Sequence, residues 1–211
     1  MDSPALRATI RRYCDSDEAA VYDVCIRTAR AGQGVGGRYS NDDLVPDIVA
    51  GPYLLLEPQH AYVLDDGERA VGYIIGTAST QEFVAAYRDR WLPRLRDRYQ
   101  PLSARPATDE EQRLDAMFHP ERLLRPELVP HPAHLHVNLL AGYRRMGYGR
   151  ELMSTFLASV AAAGAPSCHL SARRENLGAR RFYERLGWRS IEVSDPGHGI
   201  YLVRPTVTPG S

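Results

Sequence analysis

The sequence predicts an α/β protein: one domain with a mixed central β-sheet of about six to seven strands, flanked by helices and carrying a helical insertion at about residues 82–132. Three observations predict it. Short runs rich in β-branched and aromatic residues alternate with segments of helical period. A Gly-containing junction joins a strand directly to a helix near residues 140–150. One long, charged, Pro-interrupted stretch breaks the alternation, as a functional or disordered insertion does. A length of 211 residues suits a single core that folds without staples. The domain is expected over 1–205, with 206–211 as a flexible tail.

Residues 6–11 read as the first strand, and Asp15-Ser16-Asp17 as a helix start. From Glu18 to Arg30 the positions Val21, Val24, Cys25 and Thr28 recur at helical spacing, and Gly32–Gly37 ends that helix. A shorter helix is expected from about Asp42 to Val49, stopped by Gly51-Pro52. Residues 61–64 and 70–78 flank Asp65-Asp66-Gly67 and read as a hairpin whose Gly tolerates positive φ. Inside the insertion, helical patterns cover Phe83 to Tyr99 and about Asp109 to Phe118. Strands at 134–140 and 167–172 enclose an amphipathic helix at 147–163. A last helix over Asn176–Leu186 closes at Gly187, and strands at 190–193 and 199–203 complete the sheet.

Net charge is zero, with 44% hydrophobic and 25% charged residues, which argues against a general nucleic-acid or membrane-surface binder. All 26 basic residues are Arg. There is therefore no Schiff-base or P-loop lysine, and a bound phosphate must be met by Arg and backbone N–H groups. Cys14, Cys25 and Cys168 form no CxxC pair, and their odd count argues against a disulfide framework. Met1 to Thr9 lacks a signal-peptide pattern, and no apolar run approaches the roughly 20 residues that span a bilayer. The expectation is a cytoplasmic protein.

The chemistry-bearing segment is Tyr143-Arg144-Arg145-Met146-Gly147-Tyr148-Gly149-Arg150. Its glycines remove Cβ atoms, so a ligand can approach the backbone. The first N–H groups of the following helix lack internal partners and carry the positive end of its dipole. With Arg144, Arg145 and Arg150 nearby, these features make a pyrophosphate site. Further on stands Glu175-Asn176-Leu177-Gly178-Ala179-Arg180-Arg181-Phe182-Tyr183-Glu184-Arg185-Leu186-Gly187-Trp188.

With both segments in this order, the chain resembles the GNAT superfamily of N-acetyltransferases. Arg144-x-x-Gly147-x-Gly149 matches its Gln/Arg-x-x-Gly-x-Gly/Ala signature. The later segment matches its Asn-x-x-Ala-x-x-Phe-Tyr-x-x-x-Gly-Phe pattern, with Trp188 in place of Phe. Gly51-Pro52-Tyr53-Leu54, Gly72-Tyr73-x-x-Gly76-Thr77, Trp91-Leu92-Pro93 and Tyr99-Gln100 look like the acetyltransferase-like domain at the C-terminus of O-GlcNAcase and its bacterial relatives. The resemblance implies a single GNAT-type domain that uses acetyl-CoA as co-substrate.

It also implies roles. Backbone groups around Leu139 and Leu140 pair with the pantetheine amides in a splay between the 134–140 and 167–172 strands. Backbone N–H groups of Arg145, Met146, Gly147, Tyr148, Gly149 and Arg150 hold the pyrophosphate, and Asn176 bonds the pantetheine arm. Tyr183 sits beside the sulfur and protonates the departing thiolate, which a phenol with a pKa near ~10 can do at neutral pH. The implied reaction is direct attack by an amine on the thioester, with a backbone N–H at Leu139 stabilising the oxyanion.

The general base is less plainly written. His136 and Asn138 share one face of the 134–140 strand by period-two alternation. His136 is the better proton acceptor, and Asn138 would position a water; Glu82 and His119, in the insertion, are further candidates. Gly32-x-Gly34-x-x-Gly37 formally matches a dinucleotide fingerprint but follows a helix, so a loop at the acceptor mouth is the better reading. His131, His134 and His136 lack a Cys or acidic partner at zinc-site spacing, and no metal is expected.

Two function classes follow. One is an enzyme acetylating a primary amine of a peptide, protein or small molecule. The other is an acetyl-CoA-binding or protein-interaction module with little or no turnover. No nucleic acid or membrane partner is expected, and a homodimer is compatible with the sequence.

Overall fold

The computed structural model describes residues 8–197 and 199–207. Leu6 and Arg7 of the expected first strand, most of the stretch read for a leader, and 208–211 of the expected tail lie outside them.

Strand β1 (Thr9–Arg12) leads into α1 (Glu18–Gly32). The expected apolar stripe of α1 is its buried face: Val21, Val24, Cys25 and Thr28 are all buried. Two short helices follow, α2 (Leu44–Val49) and α3 (Gly51–Leu56). Gly51-Pro52 therefore ends one helix and opens another. Ala50 leaves helical geometry at φ −126°, and Pro52, in the first turn, needs no N–H partner. The hairpin is β2 (Tyr62–Asp65) and β3 (Ala70–Thr77), turning at Gly67 with φ +99°.

The insertion is helical. It comprises α4 (Thr80–Ala86), a π-turn at Tyr87–Trp91, α5 (Leu92–Leu95) and α6 (Asp109–Phe118), the last opened by a Thr108/Glu111 capping box. Its base is pinned, because the Thr80 amide donates to the Pro132 carbonyl at 2.8 Å. Its body is held by Asp47 of α2, fully buried. Tyr22 Oη and Tyr99 Oη donate to that carboxylate at 2.8 and 2.9 Å, and Arg98 pairs with it at 3.0 Å. Trp91 Nε1 donates to the Asp47 carbonyl at 2.9 Å. Trp91 and Tyr99 are therefore core residues.

The chain returns through β4 (Ala133–Leu139), α7 (Tyr148–Ala162), β5 (Ser167–Arg173), α8 (Leu177–Arg185), β6 (Arg189–Ile191) and β7 (Gly199–Pro205). The seven strands form one mixed sheet in the order β1-β2-β3-β4-β5-β7-β6. Among the described residues only β4 and β5 run parallel, with α7 as their crossover.

Alternation along β3 shows how the sheet is covered. Gly76 faces α7, where a Cβ would come 2.5 Å from Phe156. Tyr73 faces the other way, toward α1. The expected flexible tail begins as a fixed segment: the Thr206 amide donates to the Pro166 carbonyl at 3.1 Å, and its hydroxyl to Ala165 at 2.6 Å. Among the described residues, no helix is long and apolar enough to cross a membrane.

Candidate functional site

The site starts where two parallel strands part. β4 and β5 pair only at Ala133/Cys168 and His134/His169, although β4 continues to Leu139 and β5 to Arg173. β5 stays with β7 along its whole length, so the gap opens on the β4 side. β4 remains in register with β3 from His134 to Leu139. The Leu140 amide donates to Val71 at 3.0 Å, and by the alternation of an antiparallel ladder the Leu139 peptide groups turn the other way, into the gap. Leu139 thus presents its peptide groups to the gap, whereas the Leu140 N–H serves β3 and its carbonyl accepts from Tyr143 at 3.0 Å.

The loop from Arg144 to Arg150 closes one end of the gap. Tyr143, buried, ties it down by donating to Asp66 of the hairpin turn at 2.7 Å. Arg145 has φ +63°, a left-handed conformation costly for a residue with a Cβ, and Gly147 has φ +95° with open space where a Cβ would stand. Left-handed turns of this kind direct successive amides to one side, where they form an anion-binding concavity. The Arg150 and Glu151 amides turn back to the Gly147 carbonyl at 2.9 and 3.2 Å, which starts α7 there. Arg145, Met146, Gly147 and Arg150 are exposed. Gly149 makes room for Phe182 of α8, 3.2 Å from where its Cβ would lie. Tyr148 points back to the N-terminal strand, its Oη accepting from the Ala8 amide at 3.1 Å.

Arg144 differs from its neighbours. Its Nε donates to the Leu139 carbonyl at 2.9 Å, and its guanidinium lies 3.3 Å from where a Cβ on Gly32 would stand. It thus links the gap, the Arg/Gly loop and the Gly-rich end of α1. That Gly-rich segment borders an open groove of about 510 Å3 with Arg27, Arg30 and Arg38.

On α8, the Asn176 Oδ1 caps the helix by accepting from the Ala179 amide at 3.1 Å. The Tyr183 ring packs edge-on to Phe182 and Trp188, with centroids 5.2 and 6.0 Å away. Burial pushes its hydroxyl up to about 12, so it stays protonated and able to donate.

The face carrying His134, His136 and Asn138 packs beneath Tyr53 of α3. Tyr53 Oη lies 2.6 Å from His134 Nε2 and 3.3 Å from His136 Nε2. Burial holds His136 down to about 4, with the charge of Arg122 acting in the same direction, so it is neutral at pH 7. His134 is held lower than usual for the same first reason. Asn138 Nδ2 donates to Tyr73 Oη at 2.8 Å.

The other sequence candidates are placed differently. Glu82 is exposed on α4, and His119 caps α6 against the Asp115 carbonyl at 2.9 Å. His131 Nδ1 meets Ser167 Oγ at 2.7 Å, while the His134 nitrogens meet Thr80 and Tyr53. Among the described residues no group of three or more His, Cys, Asp or Glu is arranged to hold a metal.

Sequence reasoning missed Tyr53 as a site residue, along with Thr80 and Glu57. Glu57 is half-buried; Thr77 Oγ1 donates to it at 2.8 Å, and burial pushes its carboxyl up. The one available signal was the Gly51-Pro52-Tyr53 resemblance, which marked the segment without giving it a role.

The sequence model of the acetyltransferase (GNAT) family matches residues 38–188. A crystal structure described as SsHAT shares 44% identity at a TM-score of 0.91, over 95% of this chain and 99% of that one. Protein O-GlcNAcase of Rattus norvegicus is 26% identical over 181 residues, 85% of this chain. The chain spans about a fifth of the length of that relative, 20%. The structure of yncA from Salmonella typhimurium with its cofactor acetyl-CoA shares the fold at a TM-score of 0.55 and 12% identity, covering 97% of this chain and 96% of that one.

Proposed function

Since the chain belongs to the acetyltransferase (GNAT) family, we propose that it moves an acetyl group from acetyl-CoA to a primary amine by direct attack in a ternary complex. The observation that carries this reading is the β4/β5 gap: strand edges that part after His134, with Leu139 peptide groups turned into it and a left-handed Arg/Gly loop at its end. An extended pantetheine arm fits such a gap as an added strand, pairing with Leu139. Its pyrophosphate fits the loop amides from Arg145 to Gly149 at the α7 N-terminus, with Arg145 and Arg150 supplying charge, while the Arg150 amide is already bonded to the Gly147 carbonyl. Arg144 would first have to release the Leu139 carbonyl. The second polar group of Asn176 would reach the pantetheine while its oxygen caps α8.

The co-substrate supplies the thioester carbonyl. The Leu139 N–H would stabilise the oxyanion, and Tyr183, protonated at neutral pH, would hand its proton to the leaving sulfur. His136 would take the proton from the attacking nitrogen, with Asn138 orienting a water. An imidazole held down to about 4 is ready as a lone pair but is a weak base. It therefore acts after the C–N bond has begun to form, once the nitrogen has become acidic, and the amine must arrive neutral.

A second reading, an acetyl-CoA-binding module with little turnover, is favoured by that weak base and by the lack of a carboxylate on β4 between Ala133 and Leu139. Calorimetry with acetyl-CoA and thiol release across a panel of amines separate the readings. Binding with amine-dependent thiol release supports the enzyme. Binding without release for any amine leaves the module, and no heat and no thermal shift with folded protein overturns both.

A further inference from the structure

One polar chain runs from the base of the insertion to His136, and its direction can be derived from atoms that can only accept. The Pro132 carbonyl accepts from Thr80 Oγ1 at 2.8 Å. The single hydroxyl hydrogen of Thr80 is thereby committed, so at 2.7 Å from His134 Nδ1 its oxygen must accept. His134 then carries its proton on Nδ1 and a lone pair on Nε2. Tyr53 Oη, 2.6 Å from that nitrogen, must donate to it. The remaining contact, 3.3 Å to His136 Nε2, then has Tyr53 as acceptor and His136 as donor. The lone pair of His136 is left on Nδ1.

We infer that Thr80, His134 and Tyr53 are positioning residues, a polarised chain that sets the His136 tautomer and so decides which of its nitrogens can take a proton. His136 is the first residue on this face beyond the point where β4 and β5 part. Tyr53 stacks on Phe83 at 4.3 Å and 13°, and both it and His134 are buried, so the chain is dry and its members have few alternatives. Thr80 is also where the insertion is pinned to Pro132 through its amide, so the insertion and the tautomer share one anchor. The inference deepens the acetyl-transfer reading, on which the role of His136 as base rests; the tautomers themselves are a property of the free protein.

The test is nitrogen NMR of the histidine rings in the free protein, beside steady-state kinetics. In the wild type, His134 is expected protonated on Nδ1 and His136 on Nε2. In Thr80→Val the acceptor for His134 is gone. His134 moves its proton to Nε2 and donates to Tyr53, whose hydroxyl turns to His136 Nε2 and drives that proton to Nδ1. With the amine acceptor found by thiol release, kcat is expected to fall at least tenfold in Thr80→Val with the KM for acetyl-CoA little changed. Thr80→Ser, which keeps the hydroxyl, restores both tautomers and kcat. A wild-type His136 protonated on Nδ1, or a Thr80→Val protein whose His136 is unchanged, overturns the inference. If the wild type binds acetyl-CoA without turnover, the ring spectra alone decide it, and only the catalytic reading fails.

Discussion

At the scale of single residues, the Arg144–Arg150 loop is governed by backbone conformation. Gly147 sits at φ +95° with nothing within 4 Å of a Cβ position, so its replacement meets a conformational penalty and no clash. Gly147→Ala is expected to lose roughly 1 kcal/mol, a fall in Tm of about 2–4 °C for a domain of this size. Gly147→Asn should lose less, because Asn tolerates the left-handed region. Thermal unfolding of both variants checks this; equal losses would point to an unseen steric contact. The same residue scale explains why this site was legible in the sequence. Gly147, Gly149 and the Arg residues act through φ, absent side chains and charge, all of which are written locally. Arg144 was legible as a charge but not as the partner of Leu139, since that pairing depends on how the loop folds back on β4.

At the scale of elements, Asp47 joins α2 to the insertion. Burial pushes its carboxyl up, while Tyr22, Tyr99 and Arg98 bond to it. Asp47→Ala would leave those donors facing a cavity and is expected to lose on the order of 3–5 kcal/mol. Amide exchange should accelerate first across Tyr87–Tyr99, before the sheet opens. Uniform acceleration through β3 and β4 would show that the insertion and the sheet unfold as one unit. The helical nature of the insertion was readable from periodicity, and the Thr108/Glu111 capping box fixes the start of α6. That Trp91 and Tyr99 share Asp47 as a partner was not readable, because it is 44 and 52 residues away in the chain.

At the scale of the whole molecule, His134, His136 and His169 are kept neutral by burial, the last two near 4 against a usual value of about 6.5. Below pH of about 6.5 the unfolded chain takes up protons that the native chain refuses. Stability is therefore expected to be level above that pH and to fall as pH drops toward about 4, by on the order of a few kcal/mol. Asp17, held near 2 by Arg11, adds its own loss only at still lower pH. Urea unfolding at a series of pH values checks the window. Asp47 and Glu57, whose carboxyls burial pushes up, act in the opposite sense, so a flat profile between pH 6.5 and 4 would show that the rings refuse no more protons than those two carboxyls take up.

The sequence by itself determined the order of elements, the mixed α/β class and the place of the Arg/Gly loop between β4 and α7. Each of these depends on residues within a few positions of one another, through period, capping and backbone freedom. Tertiary structure alone decided that Leu139 and not Leu140 faces the gap, that Thr206 is fastened, and which nitrogen of His136 bears the lone pair. Those outcomes depend on the direction of a peptide group or a proton, which is set by partners brought together across the sheet, Tyr53 and His134 being 81 residues apart and Thr80 and His134 54.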